Sequence, residues 1–189
     1  MTIDMTLPRC FGNGPGQEAY AHYHDTQWGI PVHEDRQLFE DLILEGAQAG
    51  LSYWTILQKR AGYRHAFHNF DIEKCARMTD AALAAQISNP NIIRHRLKIF
   101  SVRKNAQAVL SIQKEFGSFD AYIWAYVDGK PIKRRPQTPA DFIVSDPISQ
   151  ALSKDLKKRG MSFVGPTICY AYMQAVGLVN EHRVGCHKA

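Results

Sequence analysis

Apolar residues recur at three- and four-residue spacing along most of this chain, and the residues that interrupt them are those that start and stop helices. From Asp35 onward, Leu38, Phe39, Leu42 and Ile43 keep the helical period, and the run ends near Gly50. Ser52 is placed to cap a second helix through Leu57. Asp71 opens a short helix, and TDAALAAQI reads as another. A long helix is predicted from about Arg94 to Phe116, stopped by Gly117. The pattern resumes over 118–127 before an Asp128-Gly129 turn. Ser145 or Asp146 caps a helix that begins at Pro147 and ends at Gly160, with proline in its favoured first position. Pro166 begins the last strong helix, TICYAYMQAVG, stopped by Gly177. The proline-punctuated segment 130–146 is expected to be an irregular connection. No run alternates as a strand would. The expected fold class is all-α.

Within the helix that starts at Asp35, Glu45 stands seven positions from Leu38 and three from Leu42. Seven positions are nearly two helical turns, so the three side chains share one face. That face is apolar, with Glu40 and Asp41 expected nearer its edge or outside it. A carboxylate on it is costly unless it is hydrogen-bonded or paired. Two readings follow: Glu45 accepts from loop amides or sits at the rim near the helix end, or else it lines a pocket and receives a donor from a ligand. Aromatic residues lie close by in sequence. Tyr20 and Tyr23 share a face if EAYAHYH is helical, and Tyr53 and Trp54 follow Glu45 by about two turns. Such rings either pack a core or sandwich a flat heterocycle such as a nucleobase.

Charge and cysteine usage add to this picture. The 189-residue chain carries a net charge of +5, with a pI near 9.0, a balance that suits a polyanionic partner. No segment reads as a signal peptide or membrane helix, so a soluble, cytoplasmic protein is expected. In a reducing compartment its four cysteines, Cys10, Cys75, Cys169 and Cys186, are better read as thiols or metal ligands than as disulfides. His182 and Cys186 are four apart and could ligate one ion. Cys10 and His24 would complete a tetrahedral set joining the chain ends, although eight histidines offer other pairings. Positive charge gathers in RHRLK at 94–98, with Arg103 and Lys104 beyond, in KRR at 133–135 and in KDLKKR at 154–159. The first cluster sits in a link between helices. There, main-chain amides and helix ends can meet phosphates. The last reads as a solvated helix face.

Together, the stretches RC, YAHYHDTQWGIP, LFEDLILEGAQAGLS, FHNFD, IIRHRLKI, LKKRGMSFVGPTICYAYMQAVGLVNEH and VGC resemble the 3-methyladenine DNA glycosylase I family of the helix-hairpin-helix superfamily. The resemblance spans nearly the whole chain. It implies a single helix-hairpin-helix glycosylase domain over residues 1–189. One structural Zn2+ would be held by Cys10, His24, His182 and Cys186. It further implies Glu45 as the pocket carboxylate, Tyr20 and Tyr23 as pocket rings, and Gly50-Leu51 as a wedge filling the gap left by an everted nucleotide. The DNA-facing hairpin falls near 93–98, with Arg94, His95, Arg96 and Lys98 as its polar residues. The implied activity is release of 3-methyladenine from alkylated double-stranded DNA. A lyase step is not expected, because no lysine sits in the segments around Tyr20 or Glu45 and Lys59 is the closest in sequence, and a monomer is expected because no feature demands a dimer. Two departures stand out. Tyr53 occupies the position after Leu-Ser where the family carries tryptophan, with Trp54 one place later, and Leu97 stands where glycine is common. Three readings compete with a 3-methyladenine enzyme. One is a damage-binding module that does not cut, and another is a glycosylase of the same fold acting on a different alkylated purine. The third is a metal-dependent hydrolase, which four protein ligands disfavour by leaving no open position for water.

Overall fold

The computed structural model describes residues 3–189 as a predominantly helical chain. Its helices are α1 (Glu18–Thr26), α2 (Asp35–Gln48), α3 (Tyr53–Ala66), α4 (Ile72–Ala76), α5 (Asp80–Ala85), α6 (Arg96–Phe116), α7 (Phe119–Trp124), α8 (Pro147–Lys158) and α9 (Pro166–Ala175). The local signals act where the sequence puts them. Ser52 caps α3 by accepting from the Thr55 amide, Asp71 caps α4 and Thr79 caps α5. Asp146 and Ser149 form a reciprocal capping box on α8, with Pro147 in the first turn. The Ser52-capped helix runs nine residues past Leu57 to Ala66, because Ile56, Tyr63 and Ala66 continue its buried face. His95 caps α6, so that helix starts at Arg96 rather than Arg94.

The segment 130–146 departs from a purely irregular connection. Ile132 and Lys133 form a two-residue strand β1, paired in parallel with β2 (Val179–Asn180). Two residues are too few for alternation to register in sequence. This ladder ties the connection to the segment that leads into Glu181 and His182.

Helix α2 is the central element. It packs against α3, α6, α7 and α9, and an unbroken run from Leu38 to Ala47 is buried. One contiguous apolar cluster includes Leu38, Phe39, Leu42, Ile99, Val109, Leu156 and Met173. A smaller aromatic cluster of Tyr23, Trp28 and Tyr53 lies beside it, with Phe11, Tyr20 and Leu57 packed on top.

Burial of α2 extends to Glu40 and Asp41, which corrects their expected place at the edge of the helix. Arg60 and Arg64 reach across from α3. Glu40 Oε1 accepts from Arg60 Nε at 2.6 Å and from Arg64 Nε at 2.9 Å. Asp41 accepts from Gln37 at 3.0 Å and from Arg60 at 3.4 Å, and Arg60 also donates to the Gln27 side chain. The acids are tolerated because each is paired and hydrogen-bonded.

Candidate active site

Glu45 projects from α2 into a cavity of about 250 Å³. Tyr20 and Tyr23 of α1, Trp28, Phe11 and Tyr53 supply aromatic walls, Phe142 stands at the 130–146 connection, and Gln174 comes from α9. The rings brace one another. Tyr23 and Tyr53 have centroids 4.8 Å apart, and Phe11 lies 4.4 Å from Tyr20 and 5.1 Å from Trp28. Trp54 is absent from the cavity wall and stacks at 5.6 Å on Tyr20. The two adjacent aromatics therefore divide the work, Tyr53 facing the cavity and Trp54 supporting a ring that does.

The electrostatics of this cavity are unusual. Glu45 is 3% exposed, and its Oε2 is buried with no hydrogen-bond partner. The Tyr53 hydroxyl is buried and unpartnered too. Burial, reinforced by the nearby Asp41 charge, pushes the Glu45 carboxyl well above the ordinary carboxylate range. Burial also raises the Tyr20 phenol to about 12 and the Tyr23 and Tyr53 phenols well above their usual value. These phenols stay protonated at neutral pH. Unsatisfied polar atoms inside an otherwise aromatic box call for a partner.

The chain ends meet beside the cavity, where Cys10 also lines its wall. Ligand atoms of Cys10, His24 and Cys186 lie within 4.8 Å of one another, a grouping able to hold a metal ion. The His182 ring centroid is 5.0 Å from that of His24, and its Nε2 is a buried nitrogen without a partner. The outer ring nitrogens are held by oxygen atoms, His24 Nδ1 by Asp25 at 2.9 Å and His182 Nδ1 by Asn180 at 2.9 Å. Such contacts aim the opposite nitrogen at a metal. Main-chain amides of Arg183 and Lys188 donate to Cys10 Sγ and Cys186 Sγ, each at 3.4 Å, as suits thiolates. Burial pushes the Cys10 thiol up to about 11 and the His182 ring down to about 4. That leaves neutral imidazole ready to ligate and makes a metal the natural means of ionising the thiol. Gly29 makes room for this arrangement. It sits at φ +75°, and a Cβ there would come within 2.8 Å of His182 Cε1.

The predicted DNA-facing residues form a separate group. Arg94, His95 and Arg96 are exposed at the start of α6, and Leu51 is 42% exposed beyond Gly50. Lys98 behaves otherwise. Its Nζ donates to the Ala47 and Ala49 carbonyls at 2.9 and 2.7 Å, at the C-terminal end of α2. The side chain thus joins the pocket helix to the α6 entrance and is not free to face a phosphate. Sequence reasoning misses Phe11, Trp28, Phe142 and Gln174 as cavity residues. Trp28 falls inside the quoted stretch YAHYHDTQWGIP and Gln174 inside LKKRGMSFVGPTICYAYMQAVGLVNEH, whereas Phe142 lies in neither and carries no local signal.

A helical framework thus surrounds a buried acid with stacked rings. The family model for methyladenine glycosylase matches residues 14–189. The DNA-3-methyladenine glycosylase of Haemophilus influenzae is 45% identical over 170 residues, covering 90% of this chain and 92% of that protein. A crystal structure of 3-methyladenine DNA glycosylase I superposes with a TM-score of 0.91 at 44% identity, covering 95% of this chain and 98% of that one. Another, a tyrosine-to-phenylalanine variant in complex with 3-methyladenine, gives 0.89 at 38% identity, covering 93% and 95%. The chain belongs to the methyladenine glycosylase family.

Proposed function

We propose that this protein releases 3-methyladenine from alkylated double-stranded DNA, as a monomer, by hydrolysing the N-glycosidic bond of an everted nucleotide. The observation that carries the reading is the unpartnered Glu45 Oε2 inside an aromatic cavity. A base inside a duplex is out of reach, so the nucleotide must leave the stack, at a cost of a few kcal/mol. Leu51, exposed after the Gly50 turn, serves as the wedge that occupies the gap. Arg94, His95, Arg96 and the main chain of a helix-hairpin-helix entrance to α6 face the phosphates.

Methylation at N3 makes adenine cationic while it is still attached to the sugar. The leaving group is therefore already activated, and general-acid help is unnecessary. As the bond between C1′ and the base breaks, its electron pair neutralises the departing base. Water then adds to C1′ and releases a proton. Glu45 accepts a hydrogen bond from the exocyclic amine and favours the positive charge, a contact worth about 1.5–3 kcal/mol for a charged partner. The faces of Tyr20, Tyr23 and Tyr53 add cation–π attraction. Unmodified adenine lacks the charge and gains less. Among the described residues no lysine lines the cavity, and a lyase step would require amine attack, so hydrolysis alone is proposed.

We assign the Cys10, His24, His182 and Cys186 set to one structural Zn2+, a match for two thiolates and two imidazoles. The metal would supply folding energy by fastening the chain ends, and no step of the reaction needs it. Chromatography of bases freed from methylated duplex DNA tests the activity. Release of 3-methyladenine is expected, and lesion binding without release would instead favour a damage-recognition module.

A further inference from the structure

Gln174 lines the Glu45 cavity from α9, and its amide is not free to turn. Gln174 Nε2 donates to Glu181 Oε2 at 2.5 Å, while Glu181 Oε1 accepts from the Tyr170 hydroxyl at 3.0 Å. Both carboxylate oxygens are thus acceptors, and Glu181 itself is 1% exposed. An acceptor-only neighbour obliges Gln174 to present its NH2 group to Glu181. The Oε1 of the same amide is left as the group Gln174 offers elsewhere, and the cavity is what it borders. Two residues with an acceptor to spare thus line one cavity, Glu45 from α2, whose Oε2 has no partner, and Gln174 from α9.

We infer that Gln174 is a specificity-determining residue that, together with Glu45, accepts both hydrogens of a purine 6-amino group, and that Glu181 is the positioning residue that fixes its amide. The inference rests on the excision reading above and adds the choice of base to it. A 6-amino purine satisfies both acceptors at once. A 6-oxo purine presents an oxygen to the same pair, so two acceptors are left unpaired against a third. Sites built to bond an N–H group reject analogues that lack it far more strongly than apolar pockets reject a change of shape. The cavity therefore takes methylated adenine and refuses methylated guanine even when both carry the same N3 methyl and the same positive charge.

The test compares single-turnover release of 3-methyladenine and 3-methylguanine from one methylated duplex by wild type, Q174M and E181Q. Methionine keeps the length of Gln174 and removes the acceptor. Q174M is expected to lower the adenine-to-guanine ratio about tenfold or more, with affinity for unmodified DNA unchanged. E181Q lets the Gln174 amide take either orientation and is expected to lower the ratio by a smaller factor. Should Q174M fail to fold, E181Q decides alone. A wild-type ratio in the folded variants, with methyladenine still released, overturns the role of Gln174. A wild type that releases no methyladenine overturns the excision reading and this inference with it.

Discussion

A carboxyl group in the position of Glu45 has a higher affinity for its proton in the folded chain than in the unfolded one. The stability associated with the neutral form is fully present below the unfolded value and is lost as pH rises through the elevated folded one. Burying Glu45 therefore weakens the free protein at neutral pH, and the ionised carboxylate is useful only when a cation arrives. Glu45→Gln should raise the melting temperature at neutral pH while cutting excision of 3-methyladenine at least tenfold. Calorimetry beside single-turnover kinetics reads both, and unchanged excision removes Glu45 from the mechanism. Wild-type kcat/KM should also fall on the acid side at a pH above the ordinary carboxylate range, because only ionised Glu45 accepts from the amine. A rate profile flat down to pH 4.5 would contradict this. Glu45 is legible in sequence because the helical period places it between Leu42 and the end of the run. The burial of Glu40 and Asp41 is not, since it depends on Arg60 and Arg64, some twenty residues away on another helix.

At the scale of elements, Lys98 links the α6 entrance to the last carbonyls of α2. A cation at a helix C-terminus that also donates two hydrogen bonds contributes about 1 kcal/mol. Lys98→Met should lower the melting temperature by about 2–4 °C. It should leave the salt dependence of DNA binding unaltered, whereas loss of a phosphate contact would flatten that slope by about one. Gly62 shows how closely the link before α6 sits on α3, since a Cβ there would come within 2.2 Å of the Asn91 carbonyl. Helices and their caps are readable because each depends on residues a few positions apart. The β1–β2 ladder, the Lys98 bridge and the Gln174–Glu181 contact join distant segments and leave no periodic trace. Tyr53 and Trp54 illustrate the same limit, because their order is plain in sequence and only packing on Tyr23 and Tyr20 assigns a face to each.

For the molecule as a whole, a net charge of +5 and exposed arginines at 94 and 96 call for binding that weakens linearly in log affinity against log salt. Affinity measured on unmodified duplex between 50 and 200 mM salt checks this, and a flat response would remove the phosphate-facing role of Arg94, His95 and Arg96. Cys10→Ser or His182→Ala should release the metal and lower the melting temperature, and elemental analysis should find one zinc per wild-type chain. Metal analysis of the wild type that finds none would refute the clamp. Peptide connectivity gives that clamp a second office. Glu181, which holds the Gln174 amide, is the residue immediately before His182. With an ion bound, the ligand next door anchors the carboxylate as firmly as it anchors the terminus. Gradual chelation should thus make the protein less discerning between bases while its helices are still intact, so that fidelity fades before shape does.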